Sequence, residues 1–282
     1  MQKKYNIIVT GANGFLGREL FLFLTEHNCV VYSFARKNTN NDSNYVFYDI
    51  NKPLSDEALS IIKKSDIIIH CAHQFTTNIS QDVSNDINFF ATKEIAEIAL
   101  ANNIKLIYIS SASATSKSLS YYSKLKFKIE KLFNNGNYLI IKPSLIIGKG
   151  GIAMKIDNFI KKSVFIPLIK SKNDKLYYVF ANELSEIIWD CILNDLKGSI
   201  TVSNPIPINM EKLYRYFASL HNKRIIIFKV PYSFVYFIFS IFELFKIKLP
   251  INKDSLIGIR NFSFIEININ TNLFKREYVN IN

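Results

Sequence analysis

The stretch "IIVTGANGFLG" at residues 7–17 restricts the possible folds of this chain more than any other. A β-branched apolar run enters Gly11, Gly14 and Gly17, spaced three apart, and an amphipathic segment follows. Such spacing has a mechanism between a strand and a helix. The first glycine permits a tight turn, the second lets backbone approach a pyrophosphate, and the third lets helix and strand pack closely. The anion then rests on N–H groups at the positive end of the helix dipole. With only nine glycines in 282 residues, chance supplies about 0.009 matches to GxxGxxG.

The rest of the chain alternates in the same sense. Short β-branched runs at 5–10, 29–34, 45–48, 66–71, 105–110, 137–142 and 199–203 read as strands, and 15–27, 84–102, 121–134 and 181–194 read as helices between them. This is the βαβ pattern of a Rossmann-type, doubly wound parallel sheet in the α/β class. From about residue 205 the alternation stops. A helix at 209–221, a strand at 224–229, a Phe-rich helix at 232–245 and an irregular tail predict a small C-terminal substrate-binding lobe. The expected division is a dinucleotide-binding domain over 1–150, to which 178–205 returns, and a lobe drawn mainly from 151–282. The interval 150–178, with loop composition around "KSKNDK", is expected to leave the sheet.

Charge narrows the partners. Lys and Arg exceed Asp and Glu by 12, yet the cations are scattered, which argues for a solvated surface and against nucleic acid. Three well-separated cysteines and four histidines show no ligand spacing, so neither a disulfide framework nor a metal site is expected, and a reducing, cytoplasmic setting fits. The apolar stretch 230–250 is broken by Pro231, Glu243, Lys246 and Lys248. Its uninterrupted part falls short of the ~20 residues that span a bilayer, so a buried or interfacial helix is expected and membrane contact is not.

The end of the second strand reads "SFARK", residues 33–37. An acidic residue there would bind the ribose 2′-hydroxyl of NAD, whereas Arg36 suits the 2′-phosphate of NADP. NADP is therefore expected, with NAD as the alternative. Asp49 and Ile50 follow the third strand, where such folds hold the adenine ring; an exposed turn carboxylate is the other reading.

Proton transfer needs its own group. A tyrosine can serve near neutral pH if adjacent positive charge lowers its phenol, and a lysine four residues on along a helix supplies it. Y-x-x-x-K occurs three times. Tyr48/Lys52 runs into Pro53, and Tyr138/Lys142 lies along a strand, where positions four apart are about 13 Å separated. Only Tyr122/Lys126 falls on a helix; Tyr121 has Leu125 at the corresponding position. Upstream, "KLIYISSASATS" ends a strand with Ser110 or Ser111 at the carboxyl edge of the sheet, ready to orient a substrate oxygen.

Taken in order, "TGANGFLG", Asp49-Ile50, "DIIIHCAH", "NDINFFATKEIAEIA", "YISSAS", Tyr122/Lys126 with Glu130, "IIKPSLIIG" and "YVFANELSEII" resemble the extended short-chain dehydrogenase/reductases of the NAD-dependent epimerase/dehydratase family. The resemblance implies a catalytic trio of Ser111, Tyr122 and Lys126, with Asn88 supporting the proton relay. It also implies cofactor contacts from Gly11, Asn13, Gly14, Phe15, Leu16, Gly17, Arg36, Asp49, Ile50, Ala72, His73, Tyr122, Lys126 and Pro143. A nucleotide-sugar substrate is implied, as is a homodimer formed through 84–102 and 121–134. Three departures stand out: a short Ser111-to-Tyr122 interval, Leu125 before the lysine, and Lys142 in place of an arginine before Pro143.

These features favour an NADP(H)-dependent reductase of a nucleotide-linked 4-keto-sugar, in which Arg224 or Arg260 could meet the diphosphate. A nucleotide-hexose 4-epimerase with tightly held NAD uses the same residues. A non-catalytic NADP-binding member would lack the Tyr/Lys pair, and a lipid-type dehydrogenase would employ the aromatic stretch 232–245. Ala112, where dehydratases of the family offer an acid, argues against elimination.

Overall fold

The computed structural model describes residues 4–39, 41–75, 82–170, 175–235, 254, 257 and 277–281. Along the chain run β1 (Tyr5–Thr10), α1 (Phe15–Thr25), β2 (Cys29–Ala35), β3 (Tyr45–Phe47), α2 (Asp56–Lys63), β4 (Ile67–His70), α3 (Ile87–Ala101) and β5 (Lys105–Ile109). There follow α4 (Tyr121–Glu130), β6 (Tyr138–Pro143), β7 (Leu145–Ile147), α5 (Gly151–Lys162), β8 (Phe165–Ile169) and β9 (Tyr178–Phe180). The series ends with α6 (Ala181–Leu193), β10 (Gly198–Val202), α7 (Met210–Leu220) and β11 (Ile226–Val230).

Seven strands form one parallel sheet in the order β10-β6-β5-β4-β1-β2-β3. They are the seven expected from the β-branched runs, and the architecture is the Rossmann-type doubly wound sheet. Period-two alternation sends neighbouring side chains to opposite faces. Ile7, Val9, Ile67, Ile69, Ile107, Ile109, Leu139 and Ile141 pack with Leu20 and Leu24 of α1 and Leu184, Ile187 and Ile188 of α6. Ile8, Ile68, Leu106, Tyr108 and Ile140 pack on the other face with Ile62 of α2, Ile95 of α3, and Leu125 and Ile129 of α4. Both faces are thereby covered, as a parallel sheet requires.

Local chemistry fixes where the helices begin. Ser55, Asp86, Ser120 and Asn209 each accept a backbone N–H at the start of α2, α3, α4 and α7, satisfying donors that the helix cannot. The interval 150–178 carries more regular structure than its composition suggested, namely α5 and β8. There β8 pairs with β11 and β7 pairs with β9 in two small parallel sheets. With α5 and α7 they enclose a third apolar cluster containing Ile156, Ile160, Ile166, Tyr178, Leu213 and Phe217. Of the expected aromatic helix, Tyr232–Val235 is helical, and 236–245 lies outside the described residues. Among the described residues, no helix is long and apolar enough to cross a membrane.

The end of the chain is stitched back onto this frame. Val279 N–H donates to Glu183 Oε1 at 2.6 Å, and Ile281 N–H to Tyr178 Oη at 3.0 Å. Asn204, fully buried, gives its Nδ2 to Tyr178 Oη at 3.1 Å and to the Val279 carbonyl at 3.0 Å, while its Oδ1 accepts from Ile206 N–H at 2.8 Å. Asn204→Ala leaves these groups unmatched and should cost about 1–3 kcal/mol per stranded buried partner. A lowered urea midpoint, with faster amide exchange over 277–281, is the expected result.

Candidate active site

The strands deliver their functional residues to one edge. Thr10 ends β1 ahead of Gly11, His70 ends β4 ahead of Cys71 to Gln74, Ser110 to Ser113 follow β5, and Lys142 and Pro143 end β6 ahead of Ser144. This is the carboxyl edge, where open α/β sheets bind ligands.

The glycine turn is built on close approaches. Gly11 has φ +66°, and its N–H donates to the Phe34 carbonyl at 2.8 Å, which ties the turn to β2. A β-carbon on Gly11 would fall 2.8 Å from Ala72 Cα, and one on Gly17 would fall 2.2 Å from the Gly11 carbonyl oxygen. Gly14 meets only the Gly11 oxygen, at 3.1 Å, and caps α1 without a side-chain bond, so its face stays open toward the helix N-terminus. Asn13 bridges to the next loop, donating from Nδ2 to the Lys37 carbonyl at 2.6 Å and accepting from Thr39 Oγ1 at 2.9 Å. Leu16 turns into the core, so only its backbone can face a ligand. Phe15 lies against the backbone at Gly148 and Gly150.

Arg36 and Lys37 are exposed just beyond β2. Asp49 accepts from Asn51 N–H and Nδ2 at 3.1 and 2.9 Å, and Asn51 passes its Nδ2 to Gln74 Oε1 at 2.8 Å. The Asn51 hydrogen bonds, reinforced by Arg36 and Lys52, hold this carboxyl below the usual carboxylate range. Ile50 packs beside the second core cluster.

A buried polar chain joins the turn to α3. Thr10 Oγ1 lies 2.8 Å from His70 Nδ1, and His70 Nε2 lies 3.2 Å from Thr92 Oγ1. Thr92 gives its one hydroxyl proton to the Asn88 carbonyl at 2.7 Å, so toward His70 it can only accept. His70 therefore carries its proton on Nε2 and takes Thr10's proton on Nδ1, while Thr10 Oγ1 accepts from Ala72 N–H at 3.1 Å. Burial, with help from the Lys126 charge, holds the His70 ring neutral and its pKa down at about 3.

Asn88 clamps the strand-end segment, accepting from Gln74 N–H at 2.8 Å and donating to the Gln74 carbonyl at 2.9 Å. It also donates to Asp86 Oδ1 at 2.6 Å. The clamp sets His73 and Phe75 around Tyr122: His73 meets the Tyr122 ring edge-on at 5.2 Å, and Phe75 stacks on it at 5.9 Å. Burial also lowers His73 well below the ordinary histidine range. Asn88 touches neither Tyr122 nor Lys126, so any part it takes in a relay is indirect.

Lys126 is buried on the face of α4 that carries Tyr122. Its Nζ donates to the Ile109 carbonyl at 2.8 Å and sits 4.7 Å from the Tyr108 ring centre and 5.8 Å from that of Tyr122. Burial lowers its pKa to about 8, with Cys71 and Glu130 opposing. The expected depression of the tyrosine does not occur in the protein alone. Burial pushes the Tyr122 phenol up to about 12, because the ammonium is spent on a carbonyl and approaches the ring without donating to the hydroxyl.

The two candidate serines separate. Ser110 Oγ donates to Glu130 Oε1 at 2.5 Å, and Glu130 Oε2 binds Lys142 Nζ at 2.9 Å. Lys142, the departure before Pro143, also donates to the Ala114 carbonyl at 2.7 Å, and the Pro143 carbonyl accepts from Ala112 N–H at 2.8 Å. Ser111 instead ends a hydroxyl chain: Ser120 donates to Ser123 at 2.8 Å, Ser123 to Ser113 at 2.7 Å, and Ser113 lies 2.8 Å from Ser111. The short loop before Tyr122 is thus packed by its own serines. Leu125 fills the core between α3 and α4. Tyr121 donates its hydroxyl to buried Asp86 at 2.9 Å. Sequence reasoning missed this bond, the Thr10–His70–Thr92 chain and Phe75, since contacts 22 to 60 residues apart leave no periodic mark. Arg224 is exposed ahead of β11, and Arg260 lies outside the described residues.

The family model described as "NAD dependent epimerase/dehydratase family" matches residues 7–169. Comparison with curated proteins gives no match. Among solved structures, the chain is similar to a dTDP-4-dehydrorhamnose reductase from Bacillus anthracis in complex with NADP, with TM-score 0.67 and 19% identity over 94% of this chain and 100% of that one. It is also similar to a UDP-N-acetylglucosamine 4-epimerase from Bacillus cereus, with TM-score 0.66 and 15% identity over 81% and 86% of the two chains. A dTDP-4-dehydrorhamnose reductase from Yersinia enterocolitica gives TM-score 0.65 and 25% identity over 82% and 85%.

The neutral histidine has a cost in acid. Its native pKa of about 3 lies below the ordinary 6.5, so between those values the unfolded chain binds a proton that the folded one refuses. Stability is therefore lost as pH falls below 6.5, by about 2 kcal/mol between pH 7 and pH 5 for such a group. His73 acts in the same direction. Urea unfolding at the two pH values should show this loss, and His70→Gln should shrink it by about that amount.

Proposed function

Because the chain belongs to the NAD dependent epimerase/dehydratase family, we propose that it is an NADP(H)-dependent reductase of a nucleotide-linked 4-keto-sugar. The observation that carries this reading is geometric: Tyr122 shares a helix face with buried Lys126, whose Nζ lies 5.8 Å from its ring centre, at the sheet edge holding the glycine turn. A neutral phenol is the form that gives a proton to a carbonyl oxygen.

The residues present fit the cofactor. Gly14 leaves an open face at the uncapped start of α1, and Arg36 stands at the end of β2 with Lys37 beside it. The buried Ser144 hydroxyl next to Pro143 has no protein partner among the described residues. In this reading Gly11, Asn13, Gly14, Phe15, Leu16 and Gly17 form the diphosphate cradle, with Leu16 serving through its backbone. Arg36 takes the 2′-phosphate, Asp49 and Ile50 border the adenine, and Ala72, His73, Lys126 and Pro143 border the nicotinamide. NADPH supplies the hydride when bound. The substrate lobe is assigned to the third apolar cluster and the C-terminal segment.

The chain's own residues handle the proton. Ser113 accepts from Ser123 and passes its own proton to Ser111, which frees the Ser111 hydroxyl to donate to the ketone oxygen. The two donors, Ser111 and Tyr122, then meet one developing negative charge. Lys126 stabilises the tyrosinate left behind, for which its ammonium must turn from the Ile109 carbonyl toward the phenol. A 4-epimerase uses the same residues, and likeness to both reductases and epimerases supports the wider assignment to nucleotide-sugar enzymes using NAD(P).

Mixing purified protein and NADPH with a panel of 4-keto nucleotide sugars should give loss of absorbance at about 340 nm. Tyr122→Phe should lower kcat by about 10²–10⁴-fold, and the rate should decline as pH rises through about 8, where Lys126 loses its proton. No absorbance change, with interconversion of hexose epimers, would replace the reductase by the epimerase. Arg36→Ala should raise the KM for NADPH by about ten- to a hundredfold while leaving that for NADH within twofold, since a charge-assisted phosphate contact contributes about 1.5–3 kcal/mol.

A further inference from the structure

The start of α4 is held from outside its own sequence. No acidic residue occupies the first turn of this helix, yet both oxygens of one carboxylate reach it. Asp254 Oδ1 accepts from Tyr121 N–H at 2.5 Å, and Asp254 Oδ2 accepts from Tyr122 N–H at 3.1 Å. Ser120 Oγ takes the Ser123 N–H at 3.2 Å. Asp254 thus arrives from more than 130 positions further along the chain to bind donors that Ser120 does not reach, at the helix end that favours negative charge.

What this anchor controls follows from how little else holds the phenol. Tyr122 is fixed through its ring, by His73 and Phe75, and its hydroxyl has no hydrogen bond among the described residues. Lys126 is tied separately, to the Ile109 carbonyl. The distance between phenol and ammonium therefore depends on where the first turn of α4 stands relative to the sheet. Tyr121 pins that turn at two points, its N–H on Asp254 and its hydroxyl on buried Asp86.

We propose that Asp254 is a positioning residue, a carboxylate of the C-terminal segment that sets the placement of Tyr122 against Lys126 by holding the first two N–H groups of α4. Resting on the assignment of Tyr122 as proton donor, this makes the Asp254 contact with α4 a condition of a competent phenol. Displacements near 1 Å at a reacting group can cost about a hundredfold in rate, so loss of the anchor should be felt in kcat and not in cofactor binding.

The test uses the full chain. Asp254→Ala should lower kcat by about ten- to a hundredfold and leave the Kd for NADPH within twofold, and Asp254→Asn, which keeps one acceptor oxygen, should recover part of the loss. Asp195→Ala, which removes the partner of buried Lys105 at the amino end of β5, opposite the carboxyl edge, serves as the stability control and should lower Tm without lowering kcat. A second readout needs no turnover. With 3-fluorotyrosine at position 122, the fluorine resonance in the NADPH complex should shift or split in Asp254→Ala and return toward the parent position in Asp254→Asn. If Asp254→Ala does not fold, Asp254→Asn carries both measurements. A lowered Tm with unchanged kcat and unchanged fluorine resonance would make Asp254 a simple helix cap and overturn the proposal. Absence of turnover in the parent protein would count against the reductase reading alone, because the fluorine measurement would still decide the role of Asp254.

Discussion

The contact on which the arrangement depends is the approach of α1 to the end of β1, where the Gly17 position lies so close to the Gly11 carbonyl that no side chain fits between them. That approach aims the N-terminus of α1 across the carboxyl edge of the sheet. It also brings the turn against Ala72, so that the segment after β4 and the segment after β1 pack as one surface. Thr10 reinforces the junction through His70 and the Ala72 N–H. The crevice for a dinucleotide and the wall that carries His73 are consequences of the same close packing. A methyl group at position 17 would separate both at once.

Around this crevice the electrostatics are set by removal from water. Desolvation is the largest influence on His70, His73, Tyr122 and Lys126, and in each case it favours the uncharged form. For His70 the result is a fixed tautomer and a directed chain of hydrogen bonds, which needs no charge to be stable. For Lys126 it is a compromise, since a carbonyl, an aromatic ring and Glu130 at one remove keep the ammonium tenable. The salt bridge between Glu130 and Lys142 lies behind this group and keeps the carboxylate occupied. Neither charge of that pair is left bare in the interior, which is the condition for such a pair to be tolerated.

Much of this was legible in the sequence because it is periodic or local. The seven strands announce themselves by β-branched alternation, and the glycine turn and Tyr122/Lys126 by spacing that only a strand–helix junction or a helix face can use. What escaped notice is non-local. Burial of Tyr122 depends on His73 and Phe75, some 50 residues away, and so the fate of its proton could not be inferred from its distance to Lys126 along the helix. The same holds for the serines: adjacent in sequence just beyond β5, Ser110 meets Glu130 while Ser111 meets Ser113, partners that spacing does not reveal. Around 150–178 a polar loop composition masked α5, whose apolar face is covered in part by α7, some 50 residues on.

The protonation state of Tyr122 also bears on the direction of chemistry. An epimerase opens its cycle by withdrawing a proton from a hydroxyl, which needs the phenol already ionised, and burial opposes that ionisation. A ketone reductase opens with the proton in place and gives it up as negative charge develops on the carbonyl oxygen. Serving as such a donor costs nothing in the resting state, and the strain is deferred to the tyrosinate, which Lys126 is near enough to meet. The same desolvation that raises the phenol strengthens every interaction that its anion would make with the ammonium.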